Sequence, residues 1–187
     1  MRIIAGTARG MPLAAPKGRE TRPTQDRVKE SLFSILQAHL EDARVLDLFA
    51  GSGALALEAL SRGASFASLA DMDREAVACI RRNVERLGFG HCTRLYPCDW
   101  KRAVGQMARE GLDYSLVFLD PPYRMTGLDA ICAGLAGAGL LREGAVLALE
   151  HRAGLTPSPD GRFIKINERR YGDSEIHFYR FHKEGTP

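Results

Sequence analysis

The sequence predicts an α/β fold in which a mostly parallel sheet carries helices on both faces. Between residues 44 and 151, short apolar runs alternate with amphipathic segments, a pattern typical of repeated strand–helix units. The run YSLVFLD (114–120) is apolar almost throughout, as expected for a strand buried on both faces. The final stretch, RFIKINERRYGDSEIHFYRF, alternates apolar and polar residues around YGDS, which predicts a closing antiparallel hairpin.

The chain begins with two short apolar runs around a glycine-containing turn, so residues 2–15 are predicted to form a β-hairpin. A basic loop with proline and glycine follows over residues 16–23. The next segment is predicted to be a helix over residues 24–40, with Thr24 as its N-cap, because its apolar residues recur at helical spacing. These apolar residues are Val28, Leu32, Ile35, Leu36 and Leu40.

Five strands and four helices are then predicted in strict alternation. The strands are RVLDLFA (44–50), FASLAD (66–71), TRLYPC (93–98), YSLVFLD (114–120) and GAVLALEH (144–151). The helices are ALALEALSRG, REAVACIRRNVERLG, WKRAVGQMAREG and LDAICAGLAGAGLL. Asp73 is the predicted N-cap of the second of these helices and Gly88 its end. In such sheets ligands bind beyond the carboxyl ends of the strands.

The composition is that of an ordinary soluble protein. The 187 residues, 45% hydrophobic and 26% charged, fit one core with a small extension. No apolar run approaches the roughly 20 residues that span a bilayer, and the start lacks a signal peptide, so a cytoplasmic location without membrane association is expected. The four cysteines and five histidines show no paired metal-ligand spacing, so no metal is expected.

The positive charge is concentrated at the N-terminus. Residues 1–30 carry seven basic and three acidic side chains, a net charge of +4, whereas the other 157 residues carry 19 basic and 20 acidic ones, a net charge of −1. The seven basic residues are Arg2, Arg9, Lys17, Arg19, Arg22, Arg27 and Lys29. Such a segment suits a polyanion such as nucleic acid, and the alternative is a solvated arm that only aids solubility.

A glycine loop follows the first predicted strand. In LDLFAGSGALALEAL, Gly51, Gly53 and Ala56 satisfy G-x-G-x-x-G/A, which allows a sharp turn and the close approach of a ligand. An acid about twenty residues on, Asp71 or Asp73, could hold a ribose. A dinucleotide and S-adenosylmethionine both fit this pattern, as does a tight turn without a ligand. Asp47 favours S-adenosylmethionine, because a carboxylate would repel a pyrophosphate but attract the ammonium of a methionine moiety.

Asp99 follows the third predicted strand, in PCDWK. Its carboxylate could accept a hydrogen bond from an adenine amino group, with Trp100 as an apolar wall. The alternative is that Asp99 is the N-cap of the helix that begins at Trp100.

The corner Asp120-Pro121-Pro122-Tyr123 ends the fourth predicted strand. The exocyclic amine of a nucleic-acid base is a poor nucleophile, because its lone pair is delocalised into the ring. Asp120 and the Pro121 carbonyl, whose direction the prolines fix, could accept hydrogen bonds from the two N–H groups and free that lone pair. Tyr123 offers a flat face for base stacking, worth about 1–3 kcal/mol. The corner indicates a base amine as methyl acceptor; a plain strand-ending turn is the alternative.

The motifs DLFAGSG and DPPY, together with the opening RIIAG…RPTQDRVKESLF and the late YGD, resemble the RsmD-type 16S ribosomal RNA guanine-N2 methyltransferases. The resemblance covers almost the whole chain, and the N-terminal signature is its specific part. One departure is ADMD at the second strand, where Asp71 replaces a frequent Glu. The resemblance implies a Rossmann-like class I methyltransferase fold, with a seven-stranded, mostly parallel sheet and S-adenosylmethionine as cofactor. It also implies a small-subunit assembly intermediate as substrate.

The resemblance further implies that Asp71 holds the ribose, Asp99 the adenine, and Asp120 to Tyr123 the target guanine. The residues expected to bind the cofactor are Asp47, Phe49, Ala50, Gly51, Ser52, Gly53, Asp71, Met72, Asp99 and Trp100. Those expected to bind RNA are Arg9, Lys17, Arg19, Arg22, Thr24, Arg27 and Arg124.

Residues 1–23 are expected to form a basic RNA-binding extension and residues 24–187 the methyltransferase domain of a monomer. Three alternatives stay open from the sequence. They are a DNA adenine-N6 or cytosine-N4 methyltransferase, a nicotinamide-dependent dehydrogenase, and an RNA-binding assembly factor without catalysis.

Overall fold

The computed structural model describes residues 1–16, 23–122, 125, 127–155 and 157–184, and within these ranges strands and helices alternate as predicted. The strands are β1 (Arg44–Asp47), β2 (Phe66–Ala70), β3 (Thr93–Tyr96), β4 (Tyr114–Leu119), β5 (Leu141–Arg152), β6 (Phe163–Tyr171) and β7 (Ser174–Phe181). The α-helices are α1 (Pro23–Leu36), α2 (Ala54–Ser61), α3 (Arg74–Leu87), α4 (Trp100–Arg109) and α5 (Leu128–Gly137). Short 3-10 helices follow α1 (Gln37–His39) and α3 (Phe89–Cys92).

The seven strands form one sheet in the order β3-β2-β1-β4-β5-β7-β6. The five strands from β3 to β5 are parallel to their neighbours, and β7 pairs antiparallel with both β5 and β6. The predicted fold class, a mostly parallel sheet closed by a C-terminal hairpin, is therefore confirmed. The strand order reverses between β1 and β4, and ligands of open α/β sheets bind at such a reversal.

Two apolar clusters cover the two faces of the sheet. Side chains from α1, α2 and α3 pack on one face, and side chains from α4 and α5 pack on the other. Within β1, Val45 belongs to the first cluster and Leu46 to the second, as the alternation of side chains along a strand requires. Burial on both faces explains why the parallel strands are apolar almost throughout.

Of the three helix ends predicted from capping residues, two are confirmed and one is wrong. The Asp73 carboxylate accepts a 2.8 Å hydrogen bond from the Ala76 N–H, and Gly88 ends α3 in the left-handed conformation at φ 71°, so both predictions are confirmed. The prediction of Thr24 as N-cap is wrong, because α1 already begins at Pro23. Proline suits the first turn of a helix, since its missing N–H would have no intrahelical partner there.

The N-terminal segment, residues 1–16, folds back on itself as a short hairpin with one antiparallel bridge, between Arg2 and Pro12. Three backbone hydrogen bonds join its two arms. The N–H groups of Ile4 and Ala5 donate instead to the Glu58 side chain, and that of Ala8 donates to the Ser61 hydroxyl. The division of the chain at residue 23 into two domains stays a prediction.

No helix in the described ranges is long and apolar enough to cross a membrane.

Candidate active site

Four aspartates follow four neighbouring strands at the same edge of the sheet. Asp99, Asp71, Asp47 and Asp120 lie at or just beyond the carboxyl ends of β3, β2, β1 and β4, which is also their order across the sheet. Three of these aspartates interact, because the charges of Asp120 and Asp71 both act on the carboxyl group of Asp47. The structure thus brings the predicted cofactor acids and the first residue of the predicted catalytic corner to one place.

Hydrogen bonds hold the glycine loop against the end of β2. The Gly51 N–H donates a 2.8 Å hydrogen bond to Oδ2 of Asp71, and the Ala50 N–H donates one of 3.0 Å to the Ala70 carbonyl. Gly53 has φ 79°, and a Cβ atom there would lie 2.9 Å from Cδ2 of Leu69. The positive φ and this close contact both favour glycine at this position, where the loop turns into α2.

Asp47 has a buried carboxyl group with few interactions that would stabilise its negative charge. Its side chain accepts one 3.3 Å hydrogen bond, from the Ala56 N–H, and no ion pair joins it to a basic side chain in the described part of the chain. Burial raises the pKa of Asp47 to about 8, and the nearby charges of Asp120 and Asp71 add to the rise against that hydrogen bond. A ligand cation at this position would supply the missing charge, so the residue suits an ammonium group.

Asp71 and Asp99 each have a structural partner. Oδ1 of Asp71 accepts a 2.9 Å hydrogen bond from the Asp73 N–H, in addition to the bond from the glycine loop. Oδ1 of Asp99 accepts hydrogen bonds from the N–H groups of Lys101 and Arg102 at 3.0 and 3.2 Å, so Asp99 is the N-cap of α4. Each carboxylate oxygen has two lone pairs, so capping and ligand binding are compatible.

The other residues expected at the cofactor differ in exposure. Ala50 and Ser52 are buried, whereas the Met72 side chain is 74% exposed. Met72 lines an open groove of about 570 Å³ together with Pro97 and residues of α3. Trp100 is half-buried among the side chains of the α4 and α5 cluster, which shows that it has a packing role besides any contact with an adenine. Phe49 is half-buried against the same cluster.

The proline corner is described up to Pro122. Asp120 is exposed, Pro121 is buried, and the Pro122 carbonyl accepts a 2.7 Å hydrogen bond from the Met125 N–H. Tyr123 and Arg124 lie outside the described residues. The role of this corner at a base amine stays a prediction.

Sequence reasoning missed a buried polar cluster on α2. Glu58 is fully buried, and its carboxylate accepts hydrogen bonds from the Ile4 and Ala5 N–H groups at 2.8 and 3.0 Å. Nζ of Lys29 and Nε of Arg62 lie 3.0 and 2.7 Å from its oxygens. Burial alone would raise the pKa of Glu58, but these partners hold it below its ordinary value. The cluster fixes the N-terminal segment on α2.

A second contact joins the N-terminal segment to the glycine loop. The Asn83 side chain is fully buried and forms hydrogen bonds with both the N–H and the carbonyl of Ala14, at 2.8 and 2.9 Å. The same amide donates a 2.9 Å hydrogen bond to the Ser52 carbonyl. The segment that precedes the basic loop is thereby positioned against the loop that would hold the cofactor.

The sequence carries a signal for both polar contacts. Glu58 is the one charge in the otherwise apolar helix ALALEALS, and Asn83 occupies an inward position of α3, on the face of Ala76 and Ile80. A polar residue on an apolar helix face must find a partner in the core, because burying it without one costs free energy.

The residues expected to bind RNA are only partly described. Arg9 and Arg27 are exposed and line one groove of about 440 Å³ beside the N-terminal segment, together with Arg2. Lys17, Arg19, Arg22 and the side chain of Thr24 lie outside the described residues, as does Arg124. Lys29 contributes no surface charge, because it is buried against Glu58.

Comparisons with known proteins extend over this whole arrangement. A family model described as conserved hypothetical protein 95 matches residues 1–180. The putative rRNA methyltransferase YlbH of Bacillus subtilis is 34% identical over 181 residues, which cover 96% of this chain and 98% of the relative. The ribosomal RNA small subunit methyltransferase D of Escherichia coli is 39% identical over 150 residues, 80% of this chain and 74% of the relative. A solved structure of the putative methyltransferase yhhF from Escherichia coli superposes with a TM-score of 0.87 at 33% identity, covering 98% of this chain and 99% of that one.

Proposed function

Because the chain belongs to the family described as conserved hypothetical protein 95 and is similar to rRNA methyltransferases, we propose that it methylates the exocyclic N2 of a guanine in 16S rRNA. S-adenosylmethionine is the cofactor, and the reaction class is that of an rRNA methyltransferase. We further propose that the substrate is a small-subunit assembly intermediate. The observation that carries the choice of a base amine is that Asp120, which directly precedes two prolines, lies close enough to Asp47 for its charge to act on the Asp47 carboxyl group.

The carboxyl edge of the sheet fits this cofactor. Asp47 is buried without a cationic partner in the described residues, which suits the ammonium of the methionine moiety. Asp71 lies against the glycine loop, at the distance in sequence expected for a ribose-binding acid. Asp99 is exposed at the tip of the next strand, where it could accept from the adenine amino group.

The proposed chemistry is assigned to the proline corner. Bound S-adenosylmethionine supplies an electrophilic methyl carbon. Asp120 and the Pro121 carbonyl accept hydrogen bonds from the two N–H groups of the flipped guanine, so the nitrogen lone pair is directed at that carbon. The cofactor, which Asp47, Asp71 and Asp99 would hold, would supply both the methyl group and the sulfide leaving group for this transfer. The nitrogen then loses one proton, either to Asp120 or to water.

RNA is proposed to bind along the N-terminal segment and the edge of the sheet. Arg9 and Arg27 share one groove, and the glycine loop lies next to this segment through Asn83. Arg9→Gln with Arg27→Gln should weaken RNA binding and reduce the slope of log affinity against log salt by about one unit per lost phosphate contact. Arg109→Gln with Arg142→Gln removes the same charge elsewhere. An unchanged slope in the first pair would show that this segment does not bind RNA.

The function is tested by incubating the protein with labelled S-adenosylmethionine and either free 16S rRNA, small-subunit particles lacking the modification, or duplex DNA. We expect label in the particles, and N2-methylguanosine after digestion and mass spectrometry. Label in DNA as N6-methyladenine or N4-methylcytosine would support the alternative amine methyltransferase instead. Label in free RNA alone would refute the assembly intermediate as substrate, and labelling of a different rRNA base would refute the guanine assignment.

A further inference from the structure

Two histidines and a glutamate meet on the hairpin side of the sheet, away from the residues assigned to the cofactor. His151 is the next-to-last residue of β5, and Glu175 and His177 lie on β7, so the three side chains come from neighbouring antiparallel strands. One potential ligand atom of each lies within 4.8 Å of the others. The two imidazole rings are edge to face with centroids 4.4 Å apart, and both histidines are buried.

The hydrogen bonds of the two rings determine which nitrogen of each carries a proton. Nδ1 of His151 lies 2.9 Å from the Arg152 carbonyl, and a carbonyl can only accept, so Nδ1 donates and Nε2 has a free lone pair. The Tyr179 hydroxyl donates to the Pro157 carbonyl at 2.8 Å and therefore accepts from Nδ1 of His177, at 3.3 Å. Nε2 of His177 is then also an acceptor.

Nε2 of His151 is buried and has no hydrogen-bond partner in the described part of the chain. Leaving a buried polar atom unpaired is destabilising, which points to a partner other than a hydrogen-bond donor of the described chain.

Two glutamates lie close enough to the histidines to complete a set of metal ligands. Oε2 of Glu175 lies 3.9 Å from Nε2 of His177, and Oε2 of Glu168, on β6, lies 3.7 Å from the same nitrogen. Glu175 is half-buried and also near Arg170, whereas Glu168 is exposed and bonded to Lys165. Two imidazoles with one carboxylate select a divalent transition metal over magnesium or calcium, which prefer oxygen ligands.

We propose that His151, His177 and Glu175 bind one divalent transition-metal ion of the zinc class, with Glu168 or water as fourth ligand. Ligands about 2.0–2.1 Å from a tetrahedral ion lie about 3.3 Å apart, so the side chains would close by up to about 1.5 Å. The ion would join β5 to β7. Since Leu119 pairs with Leu149, His151 lies near the end of β5 at the same edge of the sheet as the proline corner. The proposal revises the expectation, from sequence spacing, of no metal site.

The sequence spacing does not reveal this site, because its ligands come together only through strand pairing. His151 and Glu175 are opposite each other in the β5–β7 register, and His177 is two residues further along β7 on the same face. Of the three ligands, only Glu175 and His177 are close in sequence, and such a pair is short and unspecific.

The test uses untagged full-length protein, stripped of metal and titrated with Zn²⁺ by calorimetry and with Co²⁺ by absorption. We expect one metal ion to bind per protein molecule. Binding should be lost in His151→Gln and in His177→Gln. Tyr179→Phe, which removes the hydroxyl that orients His177, should weaken binding by about 10- to 100-fold. His91→Gln, at an exposed histidine outside the cluster, is the matched control and should bind like the unchanged protein.

Circular dichroism and a melting curve establish whether each variant is folded. If the histidine variants do not fold, Glu175→Gln at the half-buried position decides instead, and it should weaken binding while the histidines remain. The proposal is overturned if the unchanged protein fails to bind Zn²⁺ at about 100 µM, or if the folded variants bind as it does. A Co²⁺ spectrum with thiolate charge-transfer bands would also overturn it, because the ion would then lie on the free cysteines.

Discussion

The raised pKa of Asp47 predicts that cofactor binding is coupled to the loss of a proton. In the free protein burial raises the pKa of Asp47 to about 8, so this carboxyl group is mostly protonated at neutral pH. The ammonium of S-adenosylmethionine favours the ionised form, because an opposite charge within a few ångströms stabilises it. Binding at pH 6 to 7 should therefore release about one proton from Asp47.

The size of the effect follows from the pKa. With a pKa of about 8, the ionised fraction of Asp47 is roughly 0.3% at pH 5.5 and 9% at pH 7.0, since each unit changes it about tenfold. If the complex requires the ionised form, the Kd should fall about 30-fold over this interval. An α-ammonium stays protonated here, because its pKa is about 7.7–8.0.

Calorimetry in buffers of different ionisation enthalpy measures both the affinity and the number of protons released. Asp47→Asn should bind more weakly at pH 7 and lose the pH dependence below it. A Kd that changes less than about threefold between pH 5.5 and 7.0 would refute the coupling. The same slope in Asp47→Asn would assign the proton to another group.

The raised pKa of Asp47 also makes the folded protein less stable as the pH rises. Since the folded-state pKa of Asp47 lies above its ordinary value of 3.8, the folded protein binds more protons than the unfolded chain between these limits. Its contribution to stability therefore falls as the pH rises from about 4 to 8. Urea unfolding of Asp47→Asn, which lacks this titration, should show a gain over the unchanged protein that grows with pH over that range.

Three further perturbations test the corner and the N-terminal segment. Asp120→Ala should lower kcat by about 100-fold or more with little change in cofactor Kd, because it removes an acceptor needed only for the methyl transfer. Glu58→Gln should lower the free energy of unfolding by about 3–5 kcal/mol in urea titrations, because it leaves the buried Lys29 and the partly buried Arg62 without their anionic partner. Gly6→Ala should cost about 1–3 kcal/mol more than Gly10→Ala in the same assay. Both glycines have φ near +85°, but only at Gly6 would the added carbon meet the Ser61 carbonyl oxygen, at 1.7 Å.

Each of these changes has its own control. Glu41→Ala, at an exposed acid before β1, should leave turnover unchanged, and normal turnover in Asp120→Ala would remove Asp120 from the mechanism. Glu85→Gln, at an exposed position of α3, should cost less than about 0.5 kcal/mol. Equal losses in Gly6→Ala and Gly10→Ala would mean that backbone strain, and not the contact with α2, determines the cost.

The order of elements and the chemistry of the strand ends could be read from the sequence. Strand and helix periods differ, so the alternation from Arg44 to Arg152 is visible in the chain itself, and parallel strands bring their carboxyl ends to one edge. That is why Asp47, Asp71 and Asp120 could be expected together. The N-cap at Asp73 and the end of α3 at Gly88 were equally local, since a cap depends on a few neighbouring residues.

Interactions between distant segments were not visible in the same way. The predicted N-terminal hairpin is attached to α2 through Glu58, which accepts a hydrogen bond from the Ile4 N–H across 54 residues. Asn83 contacts Ala14 across 69 residues, and no local pattern identifies that partner. Trp100, expected as a wall for the adenine, also packs among the side chains of the α4 and α5 cluster.

The sequence by itself determined which residues form strands and helices, where the glycine loop lies, and which acids end the strands. These depend on periodicity and on steric limits that act over a few residues. Only the tertiary structure decided the protonation of Asp47, the use of Glu58 and Asn83 to hold the N-terminal segment, and the meeting of His151 with His177. Desolvation and ligand geometry depend on which atoms surround a group, and those atoms come from parts of the chain that the local sequence does not specify.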